Sequence, residues 1–194
     1  MSECWIGIDQ SYSGFGLSIL RPHGHTTTVT AFPPGSYGSG VDRLNAIGRW
    51  LTEQITHTRH GYYVAHVCME GYAYGASHGR EEAGELGAVV KTVLRMTLDS
   101  PVCYPTLVPP PTLKKFVSGT GRAPKDIVIA SVKGLWGIDF AKEMTKAQAD
   151  NAADAYVLAR IAKAMSTRGD EPRDVRMRQT LTPHTEMKRT ARAA

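Results

Sequence analysis

Four acidic side chains stand where a folded chain could gather them around a cation. Asp9 ends an apolar segment near the N-terminus, and Glu70 ends a second apolar segment. Asp150 and Asp154 are four residues apart in an Ala-rich segment, so a helix there places both on one face. Carboxylates gathered at one place repel each other unless a cation neutralises them. Hard oxygen ligands suit Mg²⁺ or Mn²⁺, and two such ions can support phosphodiester hydrolysis.

Each acid, taken alone, also has a simpler explanation. Asp9 could cap a turn, and Glu70 could be an isolated loop acid. Asp150 could be an acid near a helix N-terminus, where its charge interacts favourably with the helix dipole. Asn151 precedes Asp154 by three residues, and its carbonyl could coordinate an ion weakly or orient a water. What favours a shared site is the joint placement of the acids at the ends of two strands and on one helix face.

The elements that must position these acids alternate between strand and helix patterns. Runs rich in β-branched and apolar residues predict strands over 4–9, 15–20, 26–32, 62–69 and 102–108. Helical periodicity predicts helices over 41–58, 81–98, 112–117, 125–135 and 147–165. The segment 33–40 is rich in Gly, Pro and Ser and predicts a loop. This order indicates an α/β fold whose mixed sheet is antiparallel at first, parallel where helices separate strands, and covered by helices on both faces.

Four motifs occur in a set order along the chain. They are Ile-Gly-Ile-Asp-Gln-Ser-Tyr-Ser-Gly-Phe-Gly at 6–16, Met-Glu at 69–70 followed by a Gly-containing helix at 84–90, a Pro, Lys, Gly-x-Gly, Lys stretch at 111–125, and an acidic motif at 149–155. In this order the set resembles RuvC-type Holliday junction resolvases, a family of ribonuclease H-like fold. The resemblance implies a five-stranded nuclease domain over 1–166. Beyond residue 166 the apolar period fails and prolines intrude, which predicts a basic, flexible tail over 167–194.

The resemblance also implies roles for the acids. Asp9, Glu70 and Asp154 match metal ligands of the family, with two Mg²⁺ ions per active site and Mn²⁺ as a substitute. The family usually has two acids three residues apart in the last motif, whereas this chain has Asn151 three residues before Asp154. Bacteriophage-type members often carry an acid just before this Asn. Either Asp150 or Asn151 therefore completes the predicted catalytic site.

Basic and aromatic side chains supply candidate contacts to DNA. The resemblance implies that Lys114 and Lys125 act on the scissile phosphate or the backbone, with Lys115 competing with Lys114; the alternative is a solvated helix face. The loop after Glu70 corresponds to a family loop that enters the junction, where aromatics could stack on bases and an arginine could meet phosphate; the alternative is a packed surface loop. The full set of candidates is Tyr72, Tyr74, Arg80, Lys114, Lys115, Arg122 and Lys125.

Composition sets the remaining limits. The chain has 194 residues, which favours one main domain, and a net charge of +5, which favours a polyanionic partner or a solvated tail. Its three cysteines lack CxxC spacing, which argues against a disulfide framework or a cysteine zinc site and fits a reducing compartment. No apolar run approaches the roughly 20 residues needed to span a bilayer, so no membrane partner is expected. We expect a cytoplasmic protein, in a bacterial host cell if it is phage-encoded.

The resemblance leads to one function and leaves two alternatives. It implies a crossover junction endodeoxyribonuclease that resolves branched DNA as a homodimer, because symmetric cutting of two strands needs two active sites. The first alternative is a nucleic-acid-binding protein of the same fold in which Asn151, standing in place of an acid, has abolished cleavage. The second is a fragment of a sugar-kinase or actin-like ATPase, whose first strand also ends in Asp and a Ser/Gly turn.

Overall fold

The sheet of this computed structural model has five strands and mixed direction. The structure describes residues 1–71 and 80–166. The strands, which lie in the order β3-β2-β1-β4-β5, are β1 (Ser2–Asp9), β2 (Phe15–Arg21), β3 (Gly24–Thr30), β4 (Tyr62–Glu70) and β5 (Thr106–Val108). The first three strands pair antiparallel, while β4 runs parallel to both β1 and β5. The predicted mixed five-stranded sheet is therefore confirmed.

Helices cover both faces of this sheet. They are α1 (Pro34–Tyr37), α2 (Val41–Arg59), α3 (Arg80–Thr97), α4 (Pro110–Ser118), α5 (Lys125–Trp136), α6 (Phe140–Glu143) and α7 (Lys146–Ser166). One core packs α2 and α3 on the first face, and a second core packs α4, α5 and α7 on the other. No helix within 1–71 and 80–166 is long and apolar enough to cross a bilayer.

Three segments differ from their sequence predictions, one of them being the short helix α6, for which no helix was predicted. The strand predicted over 102–108 is formed only over Thr106–Val108, because the residues before it form hydrogen-bonded turns. There the Cys103 N–H donates to the Asp99 carbonyl and the Tyr104 N–H donates to the Pro101 carbonyl. The loop predicted over 33–40 contains the single helical turn α1, which begins with a proline whose fixed φ suits the first helical position. The predicted tail over 167–194 lies outside the described residues.

Helix α7 reaches the sheet backbone because two glycines face it. A Cβ built on Gly7 of β1 would lie 2.1 Å from the Ala155 carbonyl oxygen and 2.3 Å from the Ala159 nitrogen. A Cβ on Gly16 of β2 would lie 2.7 Å from the Asn151 carbonyl oxygen. Only glycine at these two positions lets the backbone of α7 come this close to the strands, and the small alanine side chains of α7 are buried. The N-terminal half of α7 therefore crosses the sheet beside the end of β1.

Candidate active site

The first two acids lie side by side at one edge of the sheet. Asp9 is the last residue of β1 and Glu70 the last residue of β4. The two strands are parallel, and their pairing runs as far as Ile8 opposite Met69, so the acids occupy the next position on each. Asp9 is only 5% exposed, and its carboxyl shares a hydrogen bond with that of Glu70.

The third acid, Asp154, comes from α7 and lies close enough to the first two for their charges to act on it. Burial raises the pKa of Asp154 to about 6, helped by the charges of Glu70 and Asp150 and opposed by Lys125. The pKa of Asp9 lies well above its usual value because of burial first, and then because of Glu70 and Asp154. The structure thus brings together Asp9, Glu70 and Asp154 from three separate elements.

Asp150 and Asn151 occupy different surroundings. Asp150 Oδ2 lies 3.8 Å from Lys125 Nζ, while its buried Oδ1 has no hydrogen-bond partner within the described residues. Asn151 instead packs against the turn after β1, where a Cβ on Gly14 would lie 2.0 Å from Asn151 Nδ2. Of the two residues, Asp150 is the one that keeps a free buried oxygen beside the acids.

The donor set fits a divalent cation, although it is not closed around one. Among residues 1–71 and 80–166, no three His, Cys, Asp or Glu side chains stand in an arrangement that could hold a metal ion as placed. Two observations nevertheless favour a cation: the orphaned Oδ1 of Asp150, and the raised pKa values of Asp9 and Asp154. A cation beside the acids would satisfy the unpartnered oxygen and offset the repulsion between the carboxylates.

The predicted lysines reach the acids from α4 and α5. Lys114 and Lys125 both lower the pKa of Asp154, and Lys125 also lowers that of Asp9. Residues 119–124 join the two helices, and Gly119 there adopts a left-handed φ of 83° that ends α4. Lys114 lies inside α4 and Lys125 is the first residue of α5, so each helix brings one lysine within electrostatic reach of the acids.

The other predicted DNA contacts divide into two groups. Lys115 and Arg122 are exposed, and they lie on or just after α4 beside the lysines that face the acids. Arg80 is the first residue of α3. Tyr72 and Tyr74 lie outside the described residues.

Three residues at the turn after Asp9 were missed by sequence reasoning. Gln10 Nε2 donates to the backbone carbonyl of Glu70 at 3.4 Å. The Arg43 guanidinium lies 4.2 Å from the centre of the Tyr12 ring, and the Tyr12 hydroxyl donates to the Glu82 carbonyl at 3.5 Å. Tyr12 could have been singled out from the sequence, because it is an aromatic residue inside an otherwise polar turn. Arg43 gave no signal, since its partner is distant in sequence.

Comparisons with known proteins give a match in structure only. No protein-family model matches the chain, and no curated protein sequence matches it significantly. The solved structure of Thermus thermophilus RuvC aligns with a TM-score of 0.62 and 20% identity, covering 86% of this chain and 98% of that chain. The chain has the RuvC fold. A T. thermophilus RuvC structure in complex with a Holliday junction substrate aligns with a TM-score of 0.61 and 21% identity, covering 81% of this chain and 92% of that one. The RuvC-like, ribonuclease H-like fold predicted from the motifs is confirmed.

The acidic edge of this RuvC-like fold predicts how stability depends on pH. Without a cation, the protein should lose stability as the pH rises from about 4 to 7, because Asp154 holds a proton in the folded state up to a pKa of about 6 but loses it near 3.8 when unfolded. At about 1.4 kcal/mol per tenfold change in proton affinity, this residue accounts for about 3 kcal/mol. Urea unfolding in a chelator at several pH values measures the loss. Asp154→Asn should make the loss of stability smaller over this range, although Asp9, whose pKa is also raised, still contributes in the same direction. An unchanged loss in that variant would contradict the assignment.

Proposed function

We propose that this protein is a metal-dependent endonuclease that cuts branched DNA, with the four-way junction as its substrate. The observation that carries the proposal is the convergence of Asp9, Glu70 and Asp154 at the sheet edge, with Lys114 and Lys125 facing them. The RuvC fold supports it, because one protein with that fold was solved with a Holliday junction substrate.

The residues that would hold the metal are the four acids. Asp9, Glu70 and Asp154 supply the convergent carboxylates, and Asp150 supplies the free buried oxygen that Asn151 lacks. When bound, two Mg²⁺ ions, or Mn²⁺ in their place, would favour attack by water on phosphorus and stabilise the leaving oxygen. Cleavage would leave 5′-phosphate and 3′-hydroxyl ends.

The lysines would bind the phosphate. Lys125 is 57% exposed at its side chain and is held near Asp150 at 3.8 Å, a distance that makes a weak ion pair. If Asp150 helped to hold a cation, Lys125 would be free to contact a phosphate oxygen. Lys114 also lies within electrostatic reach of Asp154 and would place a second positive charge near the phosphate. Both lysines thus orient the scissile phosphate towards the acids.

The proposal includes a second copy of the chain. Cutting two strands symmetrically at a junction requires two active sites, which an isologous homodimer provides. Lys115 and Arg122 extend the positive surface along the backbone of the DNA. Since phosphate contacts release counterions, we expect junction affinity to fall steeply as salt rises.

A panel of labelled substrates tests the proposal. It contains a four-way junction, a replication fork, a flap, an RNA–DNA hybrid and a linear duplex, each incubated with Mg²⁺ and with Mn²⁺. We expect the junction to be cut most efficiently and the linear duplex to stay intact. Junction binding without cleavage in either ion would overturn the proposal and favour the binding protein without nuclease activity.

Removal of residues 168–194 gives a separate prediction. This segment carries seven Lys and Arg against four Asp and Glu, so it can add contacts to phosphate. The truncated protein should bind junctions more weakly, with a flatter dependence of affinity on salt, and should keep its cleavage rate at saturating protein. Titrations of a labelled junction at several salt concentrations measure both quantities. An unchanged salt slope would show that the segment does not touch DNA.

A further inference from the structure

Gln10 ties together the ends of the two strands that carry acids. It follows Asp9 directly, and its Nε2 donates to the backbone carbonyl of Glu70 at 3.4 Å. Backbone pairing between β1 and β4 ends at Ile8 opposite Met69. The side-chain amide of Gln10 therefore supplies a donor to Glu70 just beyond the last backbone pair, where the ladder has ended.

The orientation of this amide is set by its partner. A carbonyl oxygen accepts hydrogen bonds only, so the nitrogen of the amide must face Glu70, since the reverse orientation would bring two acceptors together. The other end of the amide, Oε1, is then directed away from that carbonyl. It is buried and has no hydrogen-bond partner within the described residues. A buried acceptor without a donor is unfavourable, so this atom needs an explanation.

A second buried oxygen without a partner belongs to Asp150, which also lies close to the acids. Among residues 1–71 and 80–166, the buried side-chain polar atoms without a partner are Gln10 Oε1 and Asp150 Oδ1. One residue follows Asp9, and the other lies one helical turn before Asp154. Both atoms are acceptors, so the group that would satisfy them donates hydrogen bonds or carries positive charge.

We propose that Gln10 is a positioning residue for the metal centre, resting on the proposed function. Its Nε2 holds the Glu70 backbone in place, and its Oε1 accepts a hydrogen bond from water in the hydration shell of the divalent cation. Mg²⁺ usually keeps several of its waters when a protein binds it. Groups that hydrogen-bond to the ligands of a metal fix their orientation and so contribute to its affinity.

Calorimetric titration of Mg²⁺ into the full-length protein, without DNA, tests this role. Gln10→Met keeps the length of the side chain but removes both polar atoms, and it should weaken Mg²⁺ binding about 10- to 100-fold. The midpoint of unfolding without metal should stay the same or rise, because an unpartnered buried oxygen is removed. Gln54→Met on α2 is the matched control, half-buried and remote from the acids, and it should leave the affinity unchanged.

The outcomes separate this proposal from the nuclease assignment. If Asp9→Asn abolishes Mg²⁺ binding but Gln10→Met leaves it unchanged, the role of Gln10 is overturned and the nuclease proposal stands. Lower stability without metal, combined with unchanged affinity, would mean that Gln10 only supports the strands, which also overturns the role. If the wild-type protein binds neither Mg²⁺ nor Mn²⁺, both proposals fail. Gln10→Ala, expected to weaken binding in the same direction, replaces Gln10→Met if that variant does not fold.

Discussion

Asp9→Asn should abolish cleavage of a four-way junction and leave junction binding intact. The carboxyl group is buried, shares a hydrogen bond with Glu70 and lies within electrostatic reach of Asp154 and Lys125. A metal contributes several kcal/mol to phosphodiester hydrolysis, and at 1.36 kcal/mol per tenfold its loss slows cleavage on the order of 10³-fold or more. Single-turnover cleavage in Mg²⁺ measures the rate, and gel retardation in a chelator measures binding.

The same substitution should not unfold the protein. Burial raises the pKa of Asp9, so a neutral amide of the same shape relieves repulsion in the metal-free state. Asp42→Asn, at an exposed position in the first turn of α2, is the matched control and should cleave at the wild-type rate. Cleavage by Asp9→Asn within about tenfold of the wild-type rate would remove Asp9 from the catalytic site.

Gly7→Ala should both destabilise the protein and impair cleavage. The added methyl group would meet backbone atoms of Ala155 and Ala159, which cannot rotate away as a side chain could. Overpacking of this kind costs roughly 1–3 kcal/mol, and here α7 must move off the sheet. Because α7 carries Asp150 and Asp154, a displacement of about 1 Å should lower the cleavage rate about 10²-fold.

Urea unfolding measures the loss of stability. Cleavage assays at a temperature where the variant is still folded measure the effect on the cleavage rate separately. Gly134→Ala is the control, because a Cβ at Gly134 meets nothing within 4 Å. Since Gly134 lies inside α5, alanine there should stabilise the helix by about 0.5–1 kcal/mol and leave cleavage unchanged. Wild-type stability and cleavage in Gly7→Ala would contradict the close approach of α7 to β1.

Periodicity predicted the long elements well and the short ones poorly. The apolar spacing at Leu44, Ile47, Leu51 and Ile55 marks a helix, and these residues are buried on one face of α2. The single turns α1 and α6 are four residues each, too short to show a period. Residues 102–105 have a strand-like composition, but they form turns whose hydrogen bonds composition does not reveal.

The acids of the candidate site were predictable because Asp9 and Glu70 each end a strand with a clear pattern, and because Asp150 and Asp154 lie one turn apart in a clearly helical segment. The choice between Asp150 and Asn151 was not, since adjacent helical residues differ by about 100° and the rotation of α7 on the sheet decides which one faces the acids. That rotation is set by the contacts of α7 with Gly7 and Gly16, which join distant parts of the chain. The contact between Gln10 and Glu70 was hidden for the same reason.

Whether the acidic edge of the sheet is a metal-dependent nuclease site is measured by incubating a labelled four-way junction with the wild-type protein, once with Mg²⁺ and once with a chelator. The acids at the edge of the RuvC fold predict symmetric cuts that require Mg²⁺ and leave 5′-phosphate and 3′-hydroxyl ends. Equal cleavage in the chelator, or no cleavage in Mg²⁺ or Mn²⁺ by folded protein that binds the junction, would contradict the account.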